Sequence, residues 1–256
     1  QNLKKPIHFS FTYDEETACQ GAPIMLKELK KRNINCSICI VGEPTSMKAI
    51  QAHKGCYEYS THFTGLAGHG SAPDKGVNAV EYANRFINKL MELREELKKR
   101  EPNNSVFTPP YSTLQIGRIK GGSARNVIAD QCVVDWELRP VLPEDGKFVN
   151  KNIEAYVKNI LLPEMRKVYP KASIEKEIIG EIIGFTKEEK SDAVNLICNL
   201  TGDNSRDVVS FGTEAGLFQE LGISTVVCGP GSIEQAHTID EYVSFDQLKL
   251  CLKMLI

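Results

Sequence analysis

Glu15 and Glu16 follow Asp14 near the start of the chain, and Glu43 lies in Gly42-Glu43-Pro44-Thr45. His237 closes the run Gly229-Pro230-Gly231-Ser232-Ile233-Glu234-Gln235-Ala236-His237. Carboxylates with an imidazole suit zinc or its divalent neighbours. Were Glu16, Glu43 and His237 to converge, Glu15 beside them could take a proton from an attacking water, as a metal-assisted hydrolase requires. Each residue also has a plainer reading. Glu15-Glu16 suits a solvated acidic turn or a helix start, where acids are favoured anyway. Glu43 precedes Pro44, which biases it to an extended backbone, and a carboxylate at an apolar strand end is costly unless hydrated or bound. His237 alone is a polar loop residue. Further candidates are His69 in the small-residue loop Gly65–Pro73, the glycine loop Gly121–Asn126, and Gly212-Thr213-Glu214-Ala215. The Gly121 loop has a rival reading as a phosphate cradle, but it lacks both the Lys-Ser/Thr and the G-x-G-x-x-G spacing.

The elements needed to position these residues form two styles. Ile7–Thr12 alternates as a strand, Gly21–Arg32 has helical spacing with a basic end, and Cys36–Val41 reads as a strand ending at Gly42. Strand–helix–strand with acids past both strand ends suits an open α/β sheet, whose sites lie at that edge. Strands are then expected at Cys56–Gly65, Tyr111–Ile119, Val127–Leu138 and Ser173–Ile179. Helices are expected at Asn78–Arg100 and at Lys147–Tyr169, the latter bent or interrupted at Pro163. This β-α-β-β-α-β order is that of a ferredoxin-like sandwich. From Gly180 the α/β style returns, with helices near Ser191–Leu200, Gly216–Leu221 and Asp246 onward, and strands at Val208–Phe211 and Ser224–Cys228. The predicted organisation is an α/β catalytic unit, residues 1–52 and 180–256, with an α+β lid, 53–179, inserted in it.

The chain has 256 residues, 41% hydrophobic and 25% charged, with a formal net charge of −2. Nothing there marks a polyanion-binding surface, so no nucleic-acid partner is expected. No apolar run reaches membrane-spanning length and no leader pattern opens the chain, so the default is a free cytoplasmic protein. Eight cysteines are scattered without a compact framework. Cys36 and Cys39, three apart in one expected strand, should point to opposite faces as buried thiols.

Taken together, these segments resemble the zinc-dependent amidohydrolase family that contains acetylornithine deacetylases, succinyl-diaminopimelate desuccinylases, aminoacylases and glutamate carboxypeptidases. The matching text runs colinearly: Tyr13-Asp14-Glu15-Glu16-Thr17, Gly42-Glu43-Pro44-Thr45-Ser46, Ala52-His53-Lys54-Gly55 and Phe107-Thr108 with Pro110-Tyr111. It continues through Thr113-Leu114, Gly121-Gly122, Thr213-Glu214-Ala215, Gly229–Ile233 and Gln235-Ala236-His237. The resemblance implies a phosphorylase/hydrolase-like catalytic domain with a ferredoxin-like lid that mediates homodimerisation. It implies two Zn2+ per site, with Co2+ as a substitute. Glu15 would be the general base; Glu16 and His237 would hold one metal and Glu43 the other. His69 would reach the partner subunit's site and stabilise the oxyanion. Asn126 and Arg139 would grip the substrate carboxylate, Arg139 by a two-pronged contact. Thr213, Glu214, Gly231 and Ser232 are further substrate-side candidates. The implied reaction is hydrolysis of an N-acyl amino acid amide, foremost N2-acetyl-L-ornithine in arginine synthesis, with succinyl-diaminopimelate as the alternative small-molecule substrate.

The family also carries a His-x-Asp motif and a metal-bridging Asp upstream of the acidic pair. Here only thirteen residues precede Asp14, and none of the five histidines has Asp two residues later. The expectation is an N-terminally truncated chain. Its metals would keep two and one protein ligands, short of the three of a catalytic zinc. Such a chain would be inactive and metal-free, or a non-catalytic binding remnant.

Overall fold

Alternation writes the larger sheet. In the computed structural model, which describes residues 5–17 and 19–256, the first four residues of the expected 1–52 segment lie outside the described residues. Helix α1 spans Gly21–Lys31, followed by strands β1 Ile38–Val41, β2 Ala49–His53, β3 Cys56–Thr64 and β4 Gly68–His69. Next come α2 Ala79–Lys99, β5 Thr113–Gly121, β6 Val127–Ile128 and β7 Gln131–Arg139. Helices α3 Pro143–Tyr156 and α4 Leu162–Val168 lead to β8 Ser173–Ile182. The remaining elements are α5 Asp192–Thr201, β9 Arg206–Val209, α6 Ala215–Gln219, β10 Ser224–Val227 and α7 Phe245–Leu255.

β5, β7, β3 and β8 lie side by side in that order, each pair antiparallel, the arrangement that the β-α-β-β-α-β reading predicts. In β7, Val134, Trp136 and Leu138 are buried while Asp135, Glu137 and Arg139 face outward. Helix α2 presents Ala79, Ala83, Phe86, Leu90, Leu93 and Leu97 to the inner face, all buried, the 3.6-residue period of a core stripe. Each large side chain there contributes about 1.5–3 kcal/mol by leaving water. Asn78 starts the helix, its Oδ1 accepting from the Val80 amide at 3.1 Å as an N-cap. Trp136 Nε1 donates to Thr61 Oγ1 at 3.0 Å, so the one buried indole donor is satisfied.

The smaller sheet has the order β1-β10-β2-β9, with β1 parallel to β10 and β2 antiparallel to it. Thr225, Val226 and Val227 of β10 are all buried, because helices cover both faces. Val226 packs with α5 and α7 residues, while Val227 joins Leu26 of α1 and Phe218 of α6. The chain crosses between the sheets at 53–56 and returns at 182–185. There His53 and Phe185 exchange backbone hydrogen bonds of 2.9 and 3.0 Å.

Two expectations need correction. Ile7–Thr12 forms no strand; Ile7, Phe9 and Phe11 are exposed, and an alternating run becomes a strand only where another strand meets its backbone groups. β1 begins at Ile38, so Cys36 precedes it, and Cys36 and Cys39 pack against the same apolar cluster rather than opposite ones. As expected, the helix ending near Tyr169 is interrupted beside Pro163, by a wide turn of π type at Val157–Leu161; Pro163, unable to donate a backbone bond, sits in the first turn of α4.

Candidate functional site

Backbone geometry sets the acids. Gly21 N donates to Tyr13 O at 3.1 Å and Cys19 N to Glu15 O at 3.0 Å, folding the segment into a tight hook. A Cβ on Gly21 would lie 2.6 Å from Tyr13 O, so only glycine closes it. Asp14 and Cys19 take positive φ, 53° and 55°. On the hook sits a short turn, Glu15–Thr17, that presents Glu15 and Glu16.

Glu43 follows β1, and Gly229 follows its parallel neighbour β10. A Cβ on Gly229 would stand 2.6 Å from Glu43 O. Thr45 ties the two loops: its Oγ1 accepts from Gly229 N at 3.1 Å, and Met47 N donates to Gly229 O at 3.0 Å. These are the carboxyl ends of parallel strands, where open α/β sheets place their sites.

His237, at φ 56°, is held by its own amide, which donates to Glu241 Oε2 at 2.9 Å. Its Nε2 stands 3.7 Å from Glu16 Oε2. Glu15, Glu16, Glu43 and His237 thus line one cleft of about 350 Å³, walled on the other side by Cys56, Glu58 and Ile182 from the larger sheet. The three glutamates also border an adjoining cavity of about 580 Å³ with Glu214. Glu214 Oε2 accepts from Thr12 Oγ1 at 3.0 Å, whereas its buried Oε1 has no hydrogen-bond partner among the described residues.

Crowding carboxylates out of water favours their neutral forms. Burial, reinforced by Glu15, Glu16 and Glu214, pushes Glu43 up to about 7. Burial and then Glu16 raise Glu15; burial and then Glu15 raise Glu214, against the Thr12 hydrogen bond. A raised carboxylate in a cleft is suited to proton transfer near neutral pH. The Glu16–His237 pair has the right donor types for a divalent ion. Among the described residues, however, no three His, Cys, Asp or Glu side chains are grouped closely enough to hold one. Donor chemistry fits the implied metal; donor number does not.

The other expected residues lie elsewhere. Arg139 borders a neighbouring cleft with Lys54, Thr108 and Phe211, and its guanidinium donates to Glu137 Oε2 at 2.9 and 3.1 Å. Thr213 is buried against His53. Gly231, at φ 93°, donates to Gln247 Oε1, and Ser232 bridges to Thr45. His69 and Asn126 meet at the β4–β6 end, where Gly70 N donates to Asn126 O; neither lines the acid cleft. Sequence reasoning missed Glu58, which looks like an outward strand residue, and Glu241, whose spacing of four from His237 was a usable signal.

Residues 51–165 match the model of the peptidase dimerisation domain. The chain is 38% identical over 244 residues to the acetylornithine deacetylase of Edwardsiella ictaluri, covering 95% of this chain and 61% of that protein. It is 35% identical to that of Pasteurella multocida, covering 94% and 60%. The chain therefore spans about three fifths of the length of these curated relatives. Among solved structures, a tripeptidase from Staphylococcus aureus superposes with TM-score 0.68 at 22% identity, covering 95% of this chain and 61% of that one. Aminopeptidase PepT from Bacillus cereus gives 0.69 at 21%, with the same coverage; at that identity the likeness concerns the fold. The chain is thus similar to acetylornithine deacetylases over nearly all of its own length, and its segment 51–165 matches the peptidase dimerisation domain.

Proposed function

We propose that the chain carries the base and part of the ligand set of an amidohydrolase centre acting on N-acyl amino acids, with N2-acetyl-L-ornithine as substrate and ornithine and acetate as products. The observation that carries this reading is the meeting of Glu15, Glu16, Glu43 and His237 in one cleft. Glu15 takes a proton from the attacking water and returns it to the leaving amine, a role its raised pKa suits. Arg139, turned from Glu137, receives the substrate carboxylate. Glu214 lines the cavity next to the cleft, and Thr213, Gly231 and Ser232 act behind the cleft as supports of its loops. Glu16 with His237, and Glu43 separately, would each hold a zinc or cobalt ion with fewer protein donors than the three of a catalytic zinc; such an ion would supply electrophilic activation of the acyl carbonyl.

His69 and Asn126 stand apart from this cleft in their own chain, which supports a role in a partner subunit across a homodimer formed by the lid, 53–179, with 1–52 and 180–256 as the catalytic unit. Among the described residues no helix is long and apolar enough to cross a membrane, and a cytoplasmic setting is part of the proposal. The shortfall in donors favours a second reading, a dimerising module without catalysis.

Hydrolysis of N2-acetyl-L-ornithine by the protein from its complete reading frame, supplied with Zn2+ or Co2+, separates them. Turnover is expected, with kcat reduced about 10²–10⁴-fold in Glu15→Gln. Equal rates in both proteins would remove Glu15 as the base, and no turnover in either would favour the module.

A further inference from the structure

His53 has so far been given no function, although it is 1% exposed. Burial lowers its pKa to about 4, so the ring is neutral near pH 7. Its Nδ1 lies 2.9 Å from Lys54 O and its Nε2 lies 2.9 Å from Thr213 Oγ1. A carbonyl oxygen only accepts, so Nδ1 carries the proton and Nε2 is bare. The Thr213 hydroxyl must therefore donate to Nε2. The same oxygen accepts from Ala215 N at 3.1 Å. Every hydrogen in this buried chain has one direction: Ala215 amide to Thr213, Thr213 to His53, His53 to the Lys54 carbonyl.

Two consequences follow. Thr213 and Ala215 flank Glu214, so both neighbours of that carboxylate are pinned while its Oε2 rests on Thr12. The anchor of the chain is the 53–55 crossing, where His53 is also bonded through its backbone to Phe185. The wall of the adjoining cavity is thereby tied to the junction of the two sheets.

We infer that His53 is a positioning residue: held as its Nδ1–H tautomer, it orients the Thr213 hydroxyl and so fixes Glu214 in the wall of the cavity that adjoins the acid cleft. The relay stands on its own geometry; its bearing on substrate rests on the reading of the cleft proposed above.

Side-chain 15N spectra of the histidine-labelled protein test the tautomer. Protonated Nδ1 with bare Nε2 is expected for His53 in the wild type and in Thr213→Ser; an Nε2–H tautomer overturns the inference. Amide exchange tests the relay. In His53→Leu the Ala215 amide keeps its direct partner, yet should exchange about three- to tenfold faster once Thr213 loses its acceptor, with the Val226 amide unchanged. Unaltered exchange at Ala215 overturns the relay. Should His53→Leu not fold, Thr213→Val and Thr213→Ser decide: the His53 Nε2 resonance moves in the first and stays in the second, and the same resonance in both overturns the inference. Finally, Kd for N2-acetyl-L-ornithine should rise about three- to tenfold in His53→Leu, and an unchanged Kd removes the link to the site. Failure of the wild type to bind acetylornithine overturns the functional reading instead, while the spectra and exchange still decide the relay.

Discussion

The larger sheet and the smaller sheet solve their packing differently. In the first, Leu90, Leu97, Val134, Leu138, Val149 and Leu161 are wholly buried. Even its inner polar groups are paired: Asp145 accepts from Arg100 Nε at 2.7 Å and from the Ser112 hydroxyl. Around the second, apolar side chains stand in solvent, among them Phe11 at 92% and Phe245 at 81% exposure. Its loops crowd carboxylates that would rather be apart. A buried, paired region secures the fold, whereas the other holds its acids close together and leaves part of its apolar surface open.

The sharpest way to break this contrast is to truncate one side chain in each region. Leu90→Ala should cost about 2–5 kcal/mol of unfolding free energy. Phe11→Ala, in the open region, should change it by less than about 0.5 kcal/mol. Equal costs in a denaturant titration would abolish the distinction.

A second effect is set by pH. Glu43 is raised from 4.5 to about 7, so the folded state binds a proton that the unfolded state has already lost between those values. Its contribution to stability is full below about pH 4.5 and disappears as pH rises through about 7. With chelator present, Glu43→Gln should therefore stabilise the protein above pH 7, on the order of 1 kcal/mol after solvent screening, and have no effect at pH 4. A stabilisation independent of pH would show that charge crowding is not the cause.

Of similar size but without the pH dependence, Asn78→Ala should cost about 1 kcal/mol by uncapping α2. Removing the exposed Lys99–Glu96 pair, 2.7 Å apart, should be hardly measurable. A surface pair as costly as the cap would contradict the assignment of stability to buried contacts.

The legibility of the sequence divides along the same line. Helix α2 and strand β7 declare themselves because their periods report one local surface against one core. Ile7–Thr12 has an equally clean alternation and still forms no strand, since pairing is decided by distant backbone. The acid cleft was readable through its glycine- and proline-marked strand ends. The grip of Thr12 on Glu214 and of Thr213 on His53 was not, because hydrogen bonds between residues 202 and 160 positions apart leave no local pattern.

If mixed subunits of Glu15→Gln and His69→Ala regain hydrolysis that neither has alone, His69 serves a partner's cleft; no recovery would confine it to another role.

The most direct test of the account is whether the four dispersed side chains share one cleft in solution. Mn2+ titrated into the 15N-labelled protein should broaden the amide signals of Glu15, Glu16, Glu43 and His237 together, leaving Val134 and Leu138 in the larger sheet sharp. Broadening of the acidic hook alone, with Glu43 and His237 untouched, would contradict it.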